Sequence, residues 1–156
     1  MGLRPLSSSH LSKEIIMALP NSGGGYQFTD GNTNEIVMGV QAAPQTATAT
    51  ATLTAAQVTG GILVGNPSTT AASYTLPTAT ALDAVFNNAK PNSTFRLVVI
   101  NLGTSTGLIT MIAGTGITTV GNLVVAITGS AAGVGGAAEF LFRKTGDAAY
   151  TMYRVA

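Results

Sequence analysis

Few residues in this sequence are able to do chemistry. It holds one histidine, six carboxylates and no cysteine. His10 stands beside Ser9, with Glu14 four residues on. A Ser–His–acid constellation needs a rigid base oriented by a carboxylate. A segment broken by Pro5, the Ser7-Ser8-Ser9 run and Pro20 does not offer that rigidity, so a solvated histidine is the stronger reading. Zinc needs three or four Cys, His or acidic ligands, and these residues are too few and too scattered to supply them. The carboxylates are Glu14, Asp30, Glu35, Asp83, Glu139 and Asp147. Only Asp83 and Glu139 offer a pair that folding could bring together for glycoside cleavage. The simpler expectation places Asp83 in the first turn of a helix, where the macrodipole favours a negative charge. It pairs Glu139 with Arg96, Arg143 or Arg154, across strands or between subunits.

The glycine-rich stretches fail as phosphate loops. Gly114-Thr115-Gly116 lacks the third glycine of a dinucleotide fingerprint and no helix follows it, while Gly65-Asn66-Pro67-Ser68-Thr69-Thr70 lacks the lysine of a P-loop. Both read as turns. Asn92-Ser93-Thr94 fits the glycosylation triplet, which arises often by chance. Arg96, Arg143, Lys144 and Arg154 could gather on one face, but without interleaved aromatics they make a weak nucleic-acid signal.

Composition bounds the rest. The chain has 156 residues, of which 8% are charged, against a usual share of about 25%. The net charge of +1 gives no general pull toward DNA or anionic lipid. No apolar run approaches the roughly 20 residues of a membrane-spanning helix. The N-terminus lacks the apolar core of a secretory signal, and Leu6 stands where N-myristoylation wants Ser or Thr. With only five Phe and four Tyr, small side chains must pack closely, and an oligomer interface is expected to complete the burial.

The elements that must position these residues change character along the chain. Residues 1–46 read as an extended arm, with a helical turn or two at Ser9–Met17 and a short strand at Glu35–Gln41. From Ala47 the pattern is of strands. Ala47–Leu53 alternates with a period of two. Thr54–Val58 is a single helical turn closed by Gly60-Gly61, and Ile62–Val64 and Ser73–Leu76 are short strands. Thr80 caps a helix at Ala81–Asn88. Thr94–Leu102, apolar on both faces, is a central strand covered on both sides. Leu108–Ile112 and Ile117–Val120 flank a turn and predict a hairpin, Leu123–Ile127 is a further buried run, and Gly129–Gly136 is a loop. A closing hairpin pairs Ala138–Lys144 with Tyr150–Val155, Phe140 and Phe142 pointing inward. The fold class is all-β: an antiparallel β-sandwich or barrel-like domain with one short helix over residues 47–156, preceded by the arm.

Several segments carry a family resemblance. The run Thr48-Ala49-Thr50-Ala51-Thr52-Leu53-Thr54-Ala55-Ala56-Gln57-Val58-Thr59-Gly60-Gly61-Ile62-Leu63 is similar to segments of the small head cement (decoration) proteins of tailed bacteriophages. Tyr74-Thr75-Leu76-Pro77-Thr78 with Leu82-Asp83-Ala84, Phe95-Arg96-Leu97-Val98-Val99-Ile100-Asn101, and Arg143-Lys144-Thr145-Gly146 with Tyr150-Thr151-Met152-Tyr153-Arg154-Val155 resemble the rest of that pattern. The resemblance implies a homotrimeric, non-enzymatic virion protein on the outer capsid surface, partnered by the major capsid protein. It implies no cofactor and no catalytic residue, and neither nucleic acid nor membrane is an expected partner. Leu3, Leu6, Leu11, Ile15, Ile16 and Met17 are the expected capsid-binding anchors of the arm. The alternative is a receptor-binding or fibre-tip module of a tail appendage, with Gly129–Gly136 exposed to a host surface. A small lyase or glycoside-active domain is a distant third.

Overall fold

The chain alternates between two sheets as it advances. In the computed structural model, which describes residues 40–127 and 136–156, it runs β1 (Gln45–Ala47), β2 (Ala51–Thr52), α1 (Ala55–Thr59), β3 (Ile62–Gly65), β4 (Ala72–Thr75) and α2 (Ala79–Val85). There follow β5 (Thr94–Asn101), β6 (Ile109–Ile112), β7 (Ile117–Val120), β8 (Val124–Val125), β9 (Ala137–Gly146) and β10 (Ala149–Arg154). The six-stranded sheet has the order β1-β3-β5-β9-β10-β7, and the four-stranded sheet the order β2-β4-β6-β8. These elements lie in one unit, Gln41–Ala156. The arm positions Leu3, Leu6, Leu11, Ile15, Ile16 and Met17, the helix expected at Ser9–Met17 and most of the Gly129–Gly136 loop lie outside the described residues.

The domain is strand-rich, but its sheets are mixed. β1, β3 and β5 pair in parallel, as do β2, β4 and β6, and β7 is parallel to β10. Only β5–β9, β9–β10 and β6–β8 are antiparallel. The expected antiparallel arrangement is therefore corrected. Three successive turns of a coil stack on one another, each giving one strand to each sheet. The reason is local. Thr54 and Thr78 start helices immediately after β2 and β4, and these carry the chain back to the other sheet instead of reversing it.

The two helix starts are variants of one pattern. Thr54 caps α1 through its side chain and forms a capping box with Gln57. Leu53, just before the cap, and Val58, in the first turn, are both buried, as a hydrophobic staple requires. In α2 the cap is Thr78, not Thr80: Pro77 ends the strand, Thr78 Oγ1 accepts from the Ala81 N–H at 3.2 Å, and Leu82 is buried where Val58 is in α1. Two other expectations fail through the same coil geometry. Ala47–Leu53 splits into two short strands in different sheets. β6 and β7 form no hairpin, because the Gly114–Gly116 turn crosses from one sheet to the other beneath α2. There the Ala79 N–H donates to the Thr115 carbonyl at 2.9 Å. Gly116 (φ +82°) leaves no room for a Cβ, which would sit 2.4 Å from the Ala148 carbonyl oxygen.

The core lies between the sheets. From the six-stranded sheet it takes Leu63, Leu97, Val99, Phe140, Phe142 and Met152; from the other it takes Tyr74, Ile109, Met111 and Val125. The closing hairpin and its inward Phe140 and Phe142 are as expected. Phe142 stacks on Phe95 with ring centroids 4.6 Å apart. Asn101, fully buried, clamps the corner between β5 and β6. Its Nδ2 donates to the carbonyls of Gly107 and Val125, both at 3.0 Å, and its Oδ1 accepts from the Gly103 N–H at 2.7 Å. Replacing Phe142 by Ala is expected to cost roughly 3–5 kcal/mol in urea unfolding. Asn101→Ala is expected to cost at least about 1–3 kcal/mol, because it leaves buried backbone groups unpaired. An effect near zero at Phe142 would mean that β9 presents its other face to the core.

Candidate functional site

The densest polar arrangement among the described residues is built around Asp83. Helix α2 presents the carboxylate toward the inner face of the closing hairpin. Lys144, on the same face of β9 as Phe140 and Phe142, brings its Nζ onto Asp83 Oδ1. The Tyr150 hydroxyl donates to the same oxygen at 2.6 Å, and the Ala148 N–H donates to Oδ2 at 2.8 Å. Lys144 is 4% exposed, and its Nζ lies 5.5 Å from the centre of the Tyr150 ring, within reach of a cation–π contact. Asp83 therefore does not sit in the first turn of its helix. It follows five residues after the cap, and a specific ion pair replaces the dipole argument.

The electrostatics follow from these contacts. The Lys144 hydrogen bond, then that of Tyr150, then the Ala148 N–H hold the Asp83 carboxyl down at about 2, against a smaller opposing push from burial. Burial, followed by the Asp83 hydrogen bond and charge, drives the Tyr150 hydroxyl upward, so this phenol keeps its proton at neutral pH. Burial likewise raises Tyr74, whose hydroxyl donates to the Ala47 carbonyl at 2.8 Å. Each polar group of the Asp83 cluster is directed at another member. The arrangement works as a latch between helix and hairpin. Beside it a cleft of about 40 Å³ is lined by Phe86, Ala89, Ser93, Thr94, Phe95 and Tyr150, room for little more than a water molecule.

The other singled-out residues are dispersed. Glu139 points to the outer face of β9 and pairs with Arg96, as one of its expected partners. Asp83 and Glu139 thus lie on opposite faces of the six-stranded sheet and form no glycosidase pair. Arg143 Nη1 donates to Asn92 Oδ1 at 2.8 Å. Arg154 turns to the β8 segment, where its Nη1 bonds the Val124 carbonyl. The four basic residues therefore reach four separate partners and build no patch. His10, Glu14, Asp30 and Glu35 lie outside the described residues. Among the described residues no three His, Cys, Asp or Glu cluster as a metal site. A second cleft, about 300 Å³, opens where the first two turns of the coil pass between the sheets; Thr48, Thr50, Pro67 and Thr70 line it. Sequence reasoning missed the Asp83–Lys144–Tyr150 cluster. The available signal was a lysine among the inward positions of β9, a place that demands a counter-ion.

Asp83 gives a pH signature. Its carboxyl is held near 2 when folded against about 3.9 when unfolded, so the stabilisation is complete above about pH 5 and is lost as pH falls toward 2. Asp83→Asn is expected to cost roughly 3 kcal/mol near neutral pH, the lower end for breaking a buried pair, because the Asp83 side chain stays 24% exposed. Urea unfolding at a series of pH values is expected to show that difference shrinking below about pH 4; a constant difference would mean that the carboxylate does not hold the latch. No family model, curated protein or solved structure matches this chain.

Proposed function

We propose that this chain is a structural virion protein: a homotrimeric cement, or decoration, protein that bridges capsomers on the outer face of a phage head. The observation that supports this reading is where the resembling segments fall in the fold. Thr48–Leu63 covers β2, α1 and the start of β3, while Tyr74–Ala84 spans the end of β4 and most of α2. Phe95–Asn101 is β5, and Arg143–Val155 closes the domain with β10. The resemblance therefore follows the rigid framework, not one binding loop. A charge-poor body rich in threonine and alanine suits flat contacts that are weak singly and strong when repeated over a lattice. Two of its acids, Asp83 and Glu139, are engaged by Lys144 and Arg96, in keeping with a passive role.

The threonine-lined cleft at the edge of the coil favours the second reading, a receptor-binding or fibre-tip module, since hydroxyls at the rim of a groove are the donors and acceptors a glycan presents in turn. Copy number in purified particles separates the two: a cement protein scales with the capsomers, a fibre tip with the tail appendages. Removing residues 1–40 is expected to leave a folded trimer that no longer coats undecorated particles or raises their rupture temperature. Equal occupancy and protection by the truncated protein would remove Leu3, Leu6, Leu11, Ile15, Ile16 and Met17 as the clamp.

A further inference from the structure

The two sheets differ in what they turn away from the core. The four-stranded sheet presents Ser73, Thr75 and Thr110 outward beside Ile112 and Val124, a mixed surface in which hydroxyls outnumber aliphatic side chains. The six-stranded sheet presents apolar rows. Ile62 and Val98 are register partners, as are Val64 and Ile100, Leu141 and Tyr153, and Tyr153 and Val120. All of them retain exposed surface, and Val120 and Val155 remain 48% exposed. β3 and β5 are parallel neighbours with apolar side chains on both faces, and strands of that kind occur with both faces covered. Apolar rows flanking a central ion pair, on a chain this poor in charge, mark an interaction surface.

The charges on this face identify the occupant. It carries one ion pair at its middle, Arg96 with Glu139, where the arginine side chain is 62% exposed and the glutamate side chain 28%, and towards its margin Arg143, which is bonded to Asn92. A pair that open contributes little to folding. It does set one cation beside one anion at the centre of the face, so that in a symmetric ring each copy can offer Glu139 to the Arg96 of one neighbour and Arg96 to the Glu139 of the other. A foreign partner would need to match that pattern; a second copy carries it by construction.

We infer that copies of this chain meet through the outer face of the six-stranded sheet, with Val98, Ile100, Leu141 and Tyr153 at the centre of the contact and Arg96 and Glu139 exchanging partners between subunits. The number of copies, three, rests on the reading proposed above; the face does not. The test uses the full-length protein in sedimentation velocity without particles. Val98→Lys is expected to raise the dissociation constant at least tenfold while circular dichroism stays unchanged. Thr110→Lys, on the outer face of the other sheet, is expected to leave association as it was. Should Val98→Lys fail to fold, the exposed charges give the answer. Arg96→Glu and Glu139→Arg each weaken association alone, and mixing the two variants recovers it in part, since two of the three contacts in a mixed trimer regain opposite charges, although each chain keeps its own internal repulsion. A wild-type monomer at tens of micromolar overturns the inference. So does an oligomer indifferent to these changes, and that result leaves the cement reading standing. A trimer that the changes dissociate but that does not coat particles overturns the cement reading alone.

Discussion

Each turn of the coil must hand its backbone donors and acceptors to the next, and the rest of the fold depends on that transfer. At one edge the Asn66 N–H reaches back to the Ala47 carbonyl at 2.9 Å, and the Leu102 N–H reaches the Gly65 carbonyl at 2.8 Å. At the other, the Leu53 N–H meets the Thr75 carbonyl at 2.7 Å, and the Leu76 N–H meets that of Ile112 at 2.8 Å. Ala47, Gly65 and Asn101 are thus equivalent positions in successive turns. Buried backbone groups tolerate no missing partner, so the corners must approach closely. Gly65 illustrates the demand: a Cβ there would lie 2.4 Å from Ile109 Cδ1 and 3.0 Å from the Tyr74 ring. The wealth of alanine, glycine and threonine follows from stacking turns this tightly.

Stacking leaves the coil open on its helical side, and the Asp83 latch closes it. α2 is only Ala79–Val85, too short to hold its place by helical propensity. A charged anchor into β9 and β10 ties it to the sheet, and Phe86, Phe95 and Phe142 continue that seam as successive ring contacts of 5.0 and 4.6 Å. Lys144, nearly enclosed, makes the anchor specific: without Asp83 an ammonium group would sit in the core unpaired. The most chemistry-like cluster of the domain is in this sense part of its packing.

Local signals were legible in the sequence; the pairing of distant strands was not. The inward phenylalanines of β9, the β-branched run of β5 and the helical turn after Thr54 all express short-range periodicity or capping. Whether β5 finds its neighbour by reversing or by coiling depends on what lies between, and the alternating run at Ala47–Leu53 suits either. The telling sign was a repeat, Thr52-Leu53-Thr54-Ala55 with Val58 against Thr75-Leu76-Pro77-Thr78-Ala79 with Leu82, which marks two equivalent corners. Pro77 interrupts it, and Thr80 offers a competing cap, so the repeat is masked. Glu139's partner was within reach because strand alternation puts both residues on the outer face, where Glu139, opposite Val98, lies diagonal to Arg96. The partner of Asp83 was not, since the helix and β9 are separated by most of the domain.

The strand order of the larger sheet also has a temporal meaning. β7 lies at one edge, and its described sheet neighbour is β10, separated from it in sequence by β8 and β9. During synthesis, Ile117–Val120 is therefore held as an unpaired ribbon until Ala149–Arg154 leaves the ribosome, and β5 likewise waits for β9 along one side. Contacts of such sequence separation form slowly. The nascent chain carries the first turns of its coil with a raw edge that other growing chains can meet, so the interval before the last hairpin arrives is when copies are most able to pair wrongly.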